Sequence, residues 1–137
     1  MTRDIRPVNP AGLMKPVGFA HGVEARGGRV LYIAGQVARD AEGRLVGPGD
    51  LVAQFRQVCI NIKAVLTEAG GQATDLVKLT IYVLDAKEYK AKSQAIGAVY
   101  REYFGRHFPA MTLVGARDLW DAPDGGLIEI EGVAVLS

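Results

Sequence analysis

From Leu51 onward the apolar residues return in steps of three and four: Val52, Phe55, Val58, Cys59, Ile62, Val65, Leu66 and Ala69. That period lays one apolar stripe along a helix and leaves the opposite side polar. Asp50 precedes the stripe as an N-cap, and Gly70 with Gly71 follows it as a stop. Such a stripe must be buried against a second apolar surface, and the chain supplies one with a different period. Val77, Leu79, Ile81 and Val83 alternate with Lys78, Thr80 and Tyr82. Ile128, Ile130, Ala134 and Leu136 alternate with Glu129, Glu131, Val133 and Val135. Alternation by two marks strands with one apolar face, so the sequence asks for a helix packed on a sheet.

The remaining segments extend that plan. A second helix follows Asp85, with Tyr89, Ile96, Val99, Tyr100, Tyr103 and Phe104 on one stripe and Gly105 closing it. Met111 to Val114 reads as a strand after Pro109. Near the start, Val17, Phe19, His21 and Val23 alternate as a short strand, and Arg26-Gly27-Gly28-Arg29 is a turn. Val30 to Ala34 reads as a second strand, and Gln36 to Arg39 as a third beyond Gly35. The first 16 residues hold Pro7, Pro10, Gly12 and Pro16 and read as an irregular lead-in. The order is two or three strands, helix, strand, helix, strand, strand. This predicts an α/β (α+β) chain, residues 1–137 as one domain, with a mixed β-sheet covered by two helices on one face. The uncovered face should carry several of Tyr32, Tyr82, Val133 and Val135, a composition that favours self-association.

Charge and composition then remove several functions. In 137 residues the formal net charge is +1, too little for a field that gathers nucleic acid or an anionic membrane. One cysteine permits no internal disulfide. No apolar run has the length or setting of a secretory signal or a membrane span, so a cytoplasmic protein is expected. The only serines are Ser93 and Ser137, which leaves none placed for a Ser-His-Asp triad. His21 and His107 are far apart without spaced cysteines or carboxylates, so no metal site is expected. Cys59 falls on the helix stripe and reads as core. Arg101, Arg106 and His107 read as a solvated helix end, favoured by the helix dipole.

Several segments together carry a family resemblance. They are Pro16 to Val23 (PVGFAHGV), Leu31 to Gln36 (LYIAGQ), Gly47 to Gln57 (GPGDLVAQFRQ), and Asn61 with Ala64 and Leu66. Asp75 to Val83, Val99 to Phe104 (VYREYF), Pro109-Ala110 and Ile128 to Ala134 (IEIEGVA) follow in order. Over nearly its whole length the chain resembles the RidA/YjgF family. The resemblance implies a chorismate-mutase-like fold, a homotrimer around a β-barrel core, and small-molecule pockets between subunits. It implies cofactor-free hydrolysis of reactive imines and enamines to ketones and ammonia. Glu129 matches the first glutamate of the family's I-E-I-E motif and would direct or deprotonate water, with Thr112 adding a hydroxyl donor. Phe19, His21, Ala34, Gly35, Ala110, Met111 and Trp120 would line the substrate pocket.

Four departures matter. Met111 stands where the family has an arginine that grips the substrate carboxylate through paired hydrogen bonds. Gly97 falls at the family's asparagine, Ala34 at its serine, and Phe19 at its tyrosine. The pocket should therefore be more apolar than that of the imino-acid deaminases, with weak activity on 2-aminoacrylate-type substrates unless Arg39 or Arg117 replaces the clamp. Other readings stay open: Glu129 as a solvated strand residue, His21 as a strand residue bonded to backbone, and Trp120 as loop core. For the whole chain, the alternative is a non-catalytic trimer that binds or senses a small ligand.

Overall fold

The computed structural model describes residues 2–137, and the predicted helix-on-sheet plan is what they form. Strand β3 (Arg29–Gln36) leads to helix α1 (Leu51–Glu68), then β4 (Leu76–Val83). Two helices follow, α2 (Ala86–Ala91) and α3 (Ser93–Phe104), and then β5 (Ala110–Gly115) and β6 (Ile128–Leu136). The sheet order is β3-β6-β4-β5. β6 runs antiparallel to both β3 and β4, while β5 runs parallel to β4 across the α2–α3 connection.

Capping fixes the helix ends. The Asp50 carboxylate accepts from the Ala53 N–H at 3.1 Å, satisfying a donor that the first turn leaves without a partner. Gly70 takes a φ of 83°, left-handed, just after the helix. Both long helices lie on one face of the sheet. Phe55, Val58, Cys59, Ile62 and Leu66 of α1 and Ile96, Val99, Tyr100 and Phe104 of α3 pack with Ile33, Leu79, Ile81, Val83, Ile128 and Ile130. Each such side chain stabilises the fold by roughly 1.5–3 kcal/mol through the water it gives up. Gln54 is buried in this layer but fully bonded. Its amide donates to the carbonyls of Gly47 and Gly125, both at 2.9 Å, and its carbonyl accepts from Leu127 N–H at 2.8 Å.

Four local expectations change. The lead-in holds a strand, β1 (Asp4–Val8), paired antiparallel with β2 (Gly22–Arg26) in a separate two-stranded sheet. Pro7 lies within β1 opposite Val23; each strand of a two-stranded sheet is an edge strand, where proline is tolerated at positions whose N–H would face away from the partner. The alternation from Val17 does not become a strand until Gly22, because Gly18 turns the backbone with a φ of 77°. Within residues 16–21 only Ala20 pairs, in an isolated parallel bridge to Ala110 of β5, with its N–H donating to the Pro109 carbonyl at 3.0 Å. No third strand forms over Gln36 to Arg39. β3 itself reaches Gln36 through an irregularity between Ile33 and Gln36, and Arg39 makes only an isolated bridge to Leu45. The helix after Asp85 is interrupted at Lys92, whose φ of −101° and ψ of 16° break the ladder while the apolar stripe continues beyond it.

The opposite face of the sheet has no helix. Tyr32 is 79% exposed and Val30 55% exposed. Tyr32 pairs with Val133 and Val30 with Val135, which puts all four on this face. Val133 is half-buried and Val135 is buried, although neither belongs to the helix-side core.

Candidate functional site

On the open face the register sets two carboxylates beside a phenol. Tyr82 pairs with Glu129 and Thr80 with Glu131 across β4 and β6. The Tyr82 hydroxyl donates to Glu131 at 2.7 Å. That bond raises the phenol pKa above its ordinary value; partial burial and the charges of Glu131 and Glu129 add to the shift. Glu129 is half-buried, and among the described residues its carboxylate accepts no side-chain hydrogen bond. It rests on Gly35: a Cβ built there would come within 2.0 Å of Glu129 Oε2. The irregularity in β3 and the absence of a side chain at residue 35 are what admit this carboxylate. Trp120, 84% exposed, walls the same shallow cleft with Leu119.

The loop that carries Trp120 is anchored from beneath. Arg39 donates to both carboxylate oxygens of buried Asp121, at 3.2 and 2.8 Å, and to Asp124 at 3.0 Å. These acidic partners, Asp121 first, hold the guanidinium above its already high pKa. Arg39 is therefore a structural tie and is not available to a ligand. Arg117 is exposed in the loop after β5 and lines neither this cleft nor the one described next.

Met111 lies on the other side of the sheet. It pairs with Leu79, so it faces the helices, where it is half-buried against the core. There it forms the floor of a second cleft, about 560 Å³, with Val17, Gly97, Tyr100, Arg101 and Phe108. The phenol of Tyr89, also at this cleft, is pushed up to about 12 mainly by burial. Burial likewise raises Tyr100, whose hydroxyl donates to the His107 carbonyl. The floor is apolar, but the cleft is not free of cations. Arg101 lies four residues after Gly97, so its side chain leans back over the preceding turn. Its Nη1 is 3.2 Å from where a Gly97 Cβ would stand.

The residues expected to share one pocket thus divide. Met111 faces the helices. Glu129, Thr112, Ala34 and Gly35 belong to the open side, where Thr112 Oγ1 accepts from Lys78 Nζ at 2.8 Å. Ala110 is half-buried beside Ala20. Phe19 lines a third cleft with Ile5, Pro7 and Phe108. The His21 ring is bonded to backbone, its Nε2 2.6 Å from the Met14 carbonyl, while the His21 backbone N–H donates to the Asn9 side-chain Oδ1 at 2.8 Å. Cys59 is buried, and burial pushes its thiol up to about 12. Among the described residues no three His, Cys, Asp or Glu side chains gather closely enough to hold a metal ion. Among the described residues no helix is long and apolar enough to cross a membrane. The residues that sequence reasoning passed over are Tyr82, Glu131 and Arg101. Parity along β4 and β6 pointed to the first two, and the four-residue step from Gly97 pointed to the third.

This geometry can be set beside known proteins. The family model described as endoribonuclease L-PSP matches residues 14–136. The chain belongs to this family, the RidA/YjgF proteins. Its fold is accordingly the chorismate-mutase-like one. Among the RidA/YjgF relatives, a RutC family protein of Pyrococcus horikoshii is 38% identical over 121 residues, covering 88% of this chain and 89% of that one. A 2-iminobutanoate/2-iminopropanoate deaminase of Capra hircus is 38% identical over 108 residues, covering 78% of this chain and 73% of that one. The crystal structure of the Rid family protein YyfB of Yersinia pestis, described as of unknown function, superimposes with a TM-score of 0.85 at 41% identity. That match covers 96% of this chain and 98% of the other.

Proposed function

We propose that this RidA/YjgF protein is a cofactor-free hydrolase of a small imine or enamine, releasing a carbonyl compound and ammonia. The observation that carries the reading is the Glu129 carboxylate, seated against Gly35 with no side-chain donor among the described residues, on a chain similar to named imine deaminases. An unpartnered, half-buried carboxylate is suited to orient a water and take its proton. Water oxygen adds to the imine carbon and the nitrogen gains a proton. The resulting carbinolamine then expels ammonia as its C–N bond breaks and the C=O bond forms. An enamine reaches the same path after protonation at carbon. Thr112 and the backbone donors from Ala110 to Thr112 serve the bound substrate.

The reading includes a homotrimer in the cytoplasm. The Met111 cleft and the Glu129 carboxylate lie on opposite faces of one sheet, so a pocket that uses both needs a second copy of the chain. The exposed Val30 and Tyr32 give such copies an apolar surface to bury. Weak turnover of 2-aminoacrylate-type substrates is expected, because the thioether at residue 111 cannot pair with a small carboxylate on the cleft floor. The experiment is ammonia release from imino acids generated in place. The parent protein should accelerate it over buffer and Glu129→Gln should not. A parent protein that binds ligand without accelerating release would instead be a binding module.

A further inference from the structure

We propose that Arg101 supplies the carboxylate-binding cation of the Met111 cleft, and that the cleft's ligand is a monocarboxylate with an apolar body. This rests on the reading above only in assuming that the cleft belongs to the functional pocket. The first support is position. Arg101 extends from α3 over Gly97, where any side chain would meet its guanidinium, and it lines the same cleft as Met111.

The second support is availability. Arg3 is bonded to Asp75 at 2.7 Å, Arg39 to Asp121 at 2.8 Å, and Arg56 to Glu102. Among the described residues no carboxylate lies within ion-pair distance of Arg101, although Glu102 is its chain neighbour. Glu102 is taken by Arg56, which holds its carboxyl below the usual range. A planar guanidinium with its donors unused beside an apolar floor fits a carboxylate in paired hydrogen bonds. The third support is the floor itself. Met111, Tyr100, Phe108 and Val17 offer no charge and suit a hydrocarbon body. Because the cation comes from α3 instead of from β5, the carboxylate binds beside the helix and the hydrocarbon lies across the strand.

The test uses stable oxo acids, the products of the proposed chemistry, as probes of the intact protein by calorimetry. The parent should bind 4-methyl-2-oxopentanoate more tightly than 2-oxopropanoate, whose body is too small to cover the floor. It should also prefer it to uncharged 4-methylpentan-2-one. Arg101→Ala and Arg101→Gln should each weaken binding of 4-methyl-2-oxopentanoate by about tenfold and leave the ketone unchanged, with Arg101→Lys intermediate. Undiminished binding in both Ala and Gln variants, or no binding by the parent, would overturn the inference. Failure of the two readings is distinguishable. A parent that binds the oxo acid through Arg101 but releases no ammonia removes the hydrolase. Ammonia release that is insensitive to Arg101 removes only the clamp.

Discussion

Strand β5 sends successive side chains into two different surroundings. Met111 and Leu113 face α1 and α3 and pack against the core, while Thr112 faces the open side, exposed and bonded to Lys78. The covered side holds a cleft with an apolar floor and an arginine that, among the described residues, has no ion-pair partner. On the open side Val30 and Tyr32 face outward, and among the described residues no side chain donates to the Glu129 carboxylate. One strand therefore separates a place suited to holding an anion from a place suited to activating water. In the proposed reading, proton transfer and substrate anchoring use opposite surfaces of the sheet, and a second copy of the chain would bring them together.

The comparison breaks most directly at Glu129. Replacing it with Gln keeps size and polarity but removes the carboxylate that the proposed reaction uses as its base. We expect ammonia release to fall by about 10²–10⁴-fold, with oxo-acid binding in the Arg101 cleft nearly unchanged. Equal loss of binding and turnover would show that the two faces do not divide the work in this way. Gly35→Ala probes the same carboxylate without touching it. The added Cβ would stand 2.0 Å from Glu129 Oε2, and Gly35 has no positive φ that an alanine would strain. Glu129 Cδ at 2.9 Å and Cγ at 3.1 Å are also crowded, so the whole side chain must take another rotamer. Stability should fall by about 1 kcal/mol, while turnover falls about tenfold to a hundredfold as the carboxylate is displaced. Urea denaturation and ammonia release measured on one preparation separate the two effects.

The division between the faces was only partly legible in the sequence. The periods of three-to-four and of two yielded α1, β4 and β6, because buried stripes are long enough there to repeat. They also supplied the apolar stripe of α2 and α3, but not the break at Lys92, since packing continues across it. Two strand-level errors share a cause. Prolines hid β1, and Gly35 was taken as a boundary when it marks an irregularity inside β3. In both places a residue that disfavours strands is tolerated because of its position in the sheet. For the candidate site, parity along β5 already separated Met111 from Thr112. What the sequence could not reveal was the pairing of Met111 with Leu79, which decides which face each takes. Arg101 was read as a solvated helix end because the four-residue step from Gly97 shows only that the two are neighbours on α3, not that a cleft floored by Met111 lies beside them.

The loop under Trp120 offers a smaller effect on the open side. Arg39→Ala would leave buried Asp121 without the donor that both its carboxylate oxygens use. A lost hydrogen bond to a charged group costs about 1.5 kcal/mol or somewhat more. The denaturation midpoint should fall accordingly, and Trp120 fluorescence anisotropy should drop as the loop loosens. If only stability changes, the loop is held by its own turns, and Trp120 does not depend on Arg39 for its place beside Glu129.

The smallest expected change lies on the covered side and has the opposite sign. Gly97 sits inside α3, where glycine costs about 0.5–1 kcal/mol relative to alanine through backbone entropy. Its surroundings are open except for one atom, Arg101 Nη1 at 3.2 Å from the new Cβ, with Cζ at 4.0 Å. That atom is the far end of a flexible side chain and can retreat by a few tenths of an ångström at little cost. Gly97→Ala should therefore stabilise the protein by about 0.5 kcal/mol, read from the denaturation midpoint at constant slope. Its oxo-acid affinity should shift far less than in Arg101→Ala. A less stable Gly97→Ala protein would mean that the guanidinium is rigidly seated over residue 97 and cannot yield, which would sharpen the contrast between a preformed anchor on this face and an unfinished base on the other.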